Sequence, residues 1–161
     1  MADYSALTAQ EIPAGGSAVF TTTIVPSYSG FIRHNDGTPN FLLSGGPYPY
    51  PPFGNGEPRC CCNRDPVLNY LADFKGNIAI ATGGTAGEIS IAISIDGTPM
   101  PASIMRSTPA AAEEYNNVSV GMTIPIFAGT DQTITVMNTS NQPILLEGGL
   151  LRLNPLDIYD Y

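Results

Sequence analysis

The chain has 161 residues, only 12% of them charged, with six lysines plus arginines, a net charge of -8 and a sequence pI near 4.2. That length suits one domain whose core needs no metal or disulfide staple, and an acidic chain with so few cations lacks the basic footprint of a nucleic-acid binder. No stretch approaches the ~20 apolar residues of a membrane span, and the opening Met1-Ala2-Asp3-Tyr4 has no secretory pattern, so a soluble protein made in a cytoplasm is expected. A surface so poor in charge is commonest where it is hidden in an assembly, and oligomerisation is expected too.

In chain order, residues 1–16 end in the turn Pro13-Ala14-Gly15-Gly16, and residues 18–25, rich in β-branched side chains, read as the first good strand, closed by Pro26. Phe31-Ile32-Arg33-His34 and Asn40-Phe41-Leu42-Leu43, separated by Asn35-Asp36-Gly37, resemble a small hairpin. Residues 45–58 turn to Pro, Gly and Tyr, a composition that fixes φ, removes donors and predicts an extended polyproline II loop. Its Tyr48, Tyr50 and Phe53 are candidate partner-binding residues, against the plainer reading of aromatics lying down on their own domain. Cys60-Cys61-Cys62 cannot share a tetrahedral site within one chain, since consecutive side chains of an extended segment point to opposite sides. They read as buried, reduced residues, with bridging around a symmetry axis as the alternative. No metal, cofactor or catalytic residue is assigned.

The centre of the chain, residues 77–103, carries the clearest pattern. Ile89, Ile91, Ile93 and Ile95 alternate with Ser90, Ala92 and Ser94, the period of a half-buried strand. Asp96-Gly97 follows as a two-residue hairpin turn. Before it Ile78 and Ile80 alternate with Ala79 and Ala81, and Gly83, Gly84 and Gly87 lie between the two runs, so a β-meander is predicted. Its second face of small side chains fits either two sheets packed closely in one monomer or a subunit interface. Residues 109–115 allow at most one helical turn, and the adjacent Glu113 and Glu114 read as a solvated loop pair. Residues 117–127 alternate again, with Pro125 arguing for an edge strand, and residues 133–138 and 144–153 complete the series. The tail after Pro155, residues 156–161, is acidic and aromatic, and its Ile158, Tyr159 and Tyr161 are the remaining partner-binding candidates. Eight or nine strands joined by Gly, Pro, Asn and Asp turns predict an all-β antiparallel sandwich or jelly roll over residues 1–155.

The ordered series Gly76-Asn77-Ile78-Ala79-Ile80, Thr82-Gly83-Gly84-Thr85, Ile91 to Gly97, Thr108-Pro109-Ala110-Ala111, Asn116-Asn117-Val118-Ser119 and Val136-Met137-Asn138-Thr139-Ser140 resembles a family of short proteins of tailed phages and prophages of gut Firmicutes. It is also similar to the carboxy-terminal domains of bacterial spore-surface filament proteins, whose collagen-like Gly-X-Y stem is absent here. The amino-terminal Ile12-Pro13-Ala14-Gly15, Val19-Phe20-Thr21 and Arg33-His34 resemble the phage group as well. The resemblance implies a tumour-necrosis-factor-like jelly roll that forms a homotrimer, with the 45–58 loop and the acidic tail as this chain's own additions.

These readings lead to an expected virion structural protein, a trimeric head decoration, cement or head-fibre component that binds itself and a major capsid or other virion protein. The alternative is a trimeric adhesin at a fibre tip binding host surface glycans through Tyr48, Tyr50 and Phe53, with Asn55 and Asp65 nearby. An enzyme is not expected: the single histidine, His34, has no marked nucleophile beside it, and no carboxylate pair stands in a recognisable setting.

Overall fold

The computed structural model describes residues 1–27, 30–46 and 67–156. Among them are strands β1 (Ala2–Ala6), β2 (Gln10–Ile12), β3 (Thr22–Val25), β4 (Ile32–His34), β5 (Phe41–Ser44), β6 (Val67–Ile80), β7 (Ile89–Ile95), β8 (Thr98–Pro99), β9 (Met105–Ser107), β10 (Asn116–Phe127), β11 (Asp131–Asn138) and β12 (Ile144–Pro155). One 3-10 turn, Pro101–Ser103, interrupts them, and residues 109–115 form no helical turn. The strands build two antiparallel sheets. Sheet A runs β10-β6-β12-β1-β3 with β2 also on β12; sheet B runs β4-β5-β11-β7-β8 with β9 also on β7. The all-β antiparallel sandwich expected from the turn spacing is therefore present.

The alternating pattern explains the layers. Ile89, Ile91 and Ile93 of β7, Ile134 and Val136 of β11 and Phe41 and Leu43 of β5 belong to one buried cluster with Tyr70, Phe74, Leu151 and Leu153 of sheet A. Each large aliphatic side chain withdrawn from water contributes roughly 1.5–3 kcal/mol gross. Asp96-Gly97 makes the expected turn, with φ of 49° and 80°, pairing Ser94 with Pro99 and Ile95 with Thr98. β10, the strand carrying Pro125, is an edge of sheet A.

Three expectations are corrected. β6 and β7 do not form a meander: they lie in different sheets, so residues 81–88 cross the sandwich instead of reversing within one layer. The 18–25 strand is also divided. Ser17 and Phe20 make bridges to Met137 and Thr38 on the sheet B side, whereas Thr22–Val25 pair with β1 in sheet A. And β1 itself, not expected as a strand, sits between β12 and β3 with every residue buried.

The small-residue faces belong to two sheets. It is the isoleucine face of β7, not Ser90, Ala92 and Ser94, that joins the core, so the small side chains do not mediate close packing between the sheets. They are nonetheless buried, and Ser94 and Ser90 pair their hydroxyls with those of Thr135 (3.1 Å) and Thr139 (2.8 Å).

Two polar side chains complete the backbone pairing. β8 and β9 share one edge of β7, and the gap between them is filled by Ser103, whose Oγ accepts from the Ile93 N–H (2.9 Å) and lies 3.0 Å from the Ile93 carbonyl. Asn138, fully buried, spreads its amide over the carbonyls of Ile12 (3.0 Å), Pro13 (3.1 Å) and Gln142 (2.9 Å) while its Oδ1 accepts from the Ser140 N–H (2.8 Å). It ties the end of β2 to the β11–β12 turn.

Candidate interaction surface

All six partner-binding candidates, Tyr48, Tyr50, Phe53, Ile158, Tyr159 and Tyr161, lie outside the described residues, as do Cys60, Cys61, Cys62, Asn55 and Asp65. The described residues that flank them are informative. β6 and β12 are antiparallel neighbours, with Pro155 opposite Tyr70, and the Leu156 N–H donates to the Asn69 carbonyl (2.8 Å). The start of β6 and the end of β12 therefore share one end of sheet A. The other flank of the 47–66 stretch is there as well: the Gly46 carbonyl accepts from the Gly129 N–H (2.9 Å), and the Gly45 N–H donates to the Thr130 carbonyl (2.8 Å). Val67 pairs with Phe127, so both flanks meet the Phe127–Thr130 turn. The described flanks of the 47–66 stretch and of the tail, distant in sequence, thus lie at one end of sheet A.

That place is apolar. Phe127 is 51% exposed, Leu156 48% and Met1 55%. Phe127 is out of step with the buried Val118, Ile124 and Ile126 of its own strand, so it projects from the face of sheet A turned away from the core. Pro125 joins it on that face, opposite Asn69. Beyond this end the face becomes charged along one row of register, Gly121–Asp73–Arg152–Asp3. There Arg152 donates to both oxygens of the buried Asp3 (2.9 and 3.1 Å). This fork, then the carboxylates of Asp3 and Asp73, raise the Arg152 guanidinium above its ordinary range.

Aromatic hydroxyls hold the same end together. The Tyr70 hydroxyl donates toward the Ser44 carbonyl and lies 3.3 Å from the Phe31 carbonyl. Burial first, then the charge of Asp131, pushes its pKa far above that of a free tyrosine. Three exposed large apolar side chains, Phe127, Leu156 and Met1, thus lie toward one end of sheet A.

A second concavity, an open groove of about 800 Å³, lies between the edge strands β3 and β4 and is lined by Tyr4, Thr23, Arg33, His34, Asn35 and Asn40 among others. His34 stacks on Phe41 (centroids 4.1 Å, 12°) and meets the Tyr4 ring edge-on. Its Nδ1 and Nε2 lie 2.9 and 3.3 Å from the carbonyls of Asn40 and Phe20. Glu113 and Glu114 part company: one accepts from the Thr82 hydroxyl, the other from the Ala110 N–H. Among the described residues no group of three His, Cys, Asp or Glu side chains is placed to hold a metal ion, and no helix is long and apolar enough to cross a membrane.

No protein-family model matches the sequence, and no curated protein matches it. Among solved structures, the globular domain of zebrafish complement 1qA protein aligns over 97% of this chain and 96% of that one, with a TM-score of 0.51 at 5% identity. The chain has the jelly-roll fold of that domain. A family 35 carbohydrate-binding module from an environmental isolate aligns over 99% of this chain and 100% of that one (TM-score 0.37, 10% identity). The CBM22-1 xylan-binding domain of Paenibacillus barcinonensis Xyn10C aligns over 96% and 94% (TM-score 0.35, 14% identity). At 5% identity the likeness to the complement domain speaks for fold alone.

Proposed function

We infer that this jelly roll is a self-assembling, non-enzymatic structural module: a homotrimer that decorates or cements the outside of a tailed-phage head, or forms part of a head fibre. The observation that carries the self-assembly is the apolar end of sheet A, where Phe127, Leu156 and Met1 are exposed and where Gly46, Val67 and Leu156, the described flanks of the Pro/Tyr-rich and acidic aromatic stretches, also lie. Support for the phage setting comes from the ordered motifs between Gly76 and Ser140 and their resemblance to short phage and prophage proteins. A standard interface buries ~800 Å² per partner, a gross gain near 20 kcal/mol at ~25 cal/mol per Å², from which association entropy takes a large share. Repeated copies then add avidity toward a shell.

Light scattering of the purified protein at low micromolar concentration tests the assembly. A trimer mass that falls to monomer in the Phe127→Asp, Leu156→Asp double variant, with an unchanged far-ultraviolet spectrum, is the expected result. A monomeric wild type overturns it. Mass spectrometry of purified particles tests the setting, which fails if the protein is absent from them.

A further inference from the structure

The chain's single histidine, His34, stands where the crossover segment meets the β4–β5 turn. His34 ends β4, and its side chain is almost wholly enclosed, 1% exposed, between the Phe41 ring on one face and the edge of Tyr4. Each ring nitrogen has a backbone carbonyl in front of it: Asn40 at Nδ1 and Phe20 at Nε2. A neutral imidazole carries one N–H and one lone pair. It can donate to one of these carbonyls, and then turns a lone pair toward the other. Only the doubly protonated ring donates to both.

The Asp36 carboxylate is 3.8 Å from Nε2 and is itself steadied by the Thr23 hydroxyl (2.7 Å). Tyr4 registers the same carboxylate, its hydroxyl pushed upward by burial and then by Asp36. Arg33, the neighbouring cation, is engaged by Asp131 at 2.6 Å. Among the described residues, Asp36 is the carboxylate within 4 Å of the ring nitrogens.

The Phe20 carbonyl belongs to the segment that crosses between the sheets. It also accepts from the Gly37 N–H (2.8 Å), and the Phe20 N–H donates to Thr38 (3.3 Å). These bonds are the link between the 17–21 crossover and the β4–β5 turn. We propose that the second proton on His34 lets the ring hold the Asn40 and Phe20 carbonyls at once, and that its loss turns a lone pair toward the Phe20 carbonyl, the longer of the two contacts, leaving the crossover tied to the β4–β5 turn by its backbone bonds alone and loosening the wall of the β3–β4 groove. The latch acts within one chain and is independent of whether copies assemble.

Amide hydrogen exchange of the full-length protein tests this, measured from pH 5 to 8 and corrected for the intrinsic pH dependence of exchange. The Gly37 and Phe20 amides should lose at least ten-fold in protection as pH rises, while the Ile93 amide, held by Ser103 far from the ring, should not. In His34→Gln the profile should be flat. Nitrogen-15 shifts of the single imidazole give a second reading on the wild type, independent of how the variant folds. Two protonated ring nitrogens at the pH where Gly37 is protected support the latch. A ring that stays neutral from pH 5 to 8, or protection at Gly37 that does not follow the ring's proton, overturns it.

Discussion

Replacing Asn138 is the most direct test of how this jelly roll is held at the end opposite the apolar surface. Its side chain is fully buried and serves four backbone groups, donating to the carbonyls of Ile12, Pro13 and Gln142 and accepting from the Ser140 N–H. Asn138→Ala strands the Ser140 donor and leaves three carbonyls sharing whatever water can enter. With roughly 1–3 kcal/mol for a buried polar group left unpaired and incomplete additivity, the expected loss is about 2–4 kcal/mol. Asn138→Asp keeps the volume but turns an oxygen toward three carbonyl oxygens, which disfavours the ionised carboxylate and raises the variant's native-state pKa. A group raised in the folded state contributes stability that is present at low pH and lost as pH climbs past its unfolded value. The Asp variant should therefore cost more than Ala at pH 7, about 3–5 kcal/mol, and recover part of the difference by pH 4. Urea unfolding at matched protein concentration, with the m-value checked for constancy, measures both. An Ala variant within about 1 kcal/mol of wild type, below the range for a stranded buried group, or an Asp variant with the same pH profile as Ala, would refute the reasoning.

Ser103→Ala should cost about 1–2 kcal/mol by urea unfolding, because it removes the partner of the buried Ile93 N–H, whereas Ser119→Ala on the exposed side of β10 should stay within about 0.5 kcal/mol. Gly45→Ala should be the most damaging single methyl addition near the apolar end, since its Cβ would fall 1.9 Å from the Phe127 carbonyl oxygen; a soluble variant with unchanged unfolding midpoint would contradict that packing. Tyr70, held protonated by burial, keeps its proton when the unfolded chain has released it, so stability should fall as pH rises through and beyond the ordinary tyrosine range near 10. Tyr70→Phe should flatten that fall, read from unfolding midpoints at alkaline pH.

What the residue pattern revealed was periodicity and turns; what it concealed was which layer each strand joins. Ile89 to Ile95 and Val118 to Ile126 announced their buried faces because an apolar side chain recurred every second residue, and Asp96-Gly97 announced its turn because both residues tolerate positive φ. The glycines between Ile80 and Ile89 announced a change of direction, but the same residues serve a hairpin and a crossing between sheets. Ala18 and Phe20 kept step with Thr22 and Ile24 while the chain changed partners from one sheet to the other. β1 was hidden because Ala-Asp-Tyr-Ser-Ala has no β-branched residue; its neighbours β12 and β3, not its propensity, make it a strand. The apolar end of sheet A was visible only in pieces. Phe127 was readable as an aromatic out of phase with its strand, but nothing in the order of residues brings it to Leu156 or to the two ends of the 47–66 stretch. The β10–β6 and β6–β12 registers, with the Gly129–Gly46 bond, do that.

The placement of β1 also bears on how the molecule comes into being. Ala2 to Ala6 pair with Leu153 back to Gly149, so a segment made early waits for its principal neighbour until β12 has left the ribosome. Sheet A cannot close until β12 has been made, and contacts so distant in sequence make for slow folding. Through that interval the waiting segment presents Asp3 and Ser5 between its apolar positions. A short strand broken by a carboxylate is a poor template for another nascent chain, and the carboxylate that breaks it is the one Arg152 grips in the finished sheet.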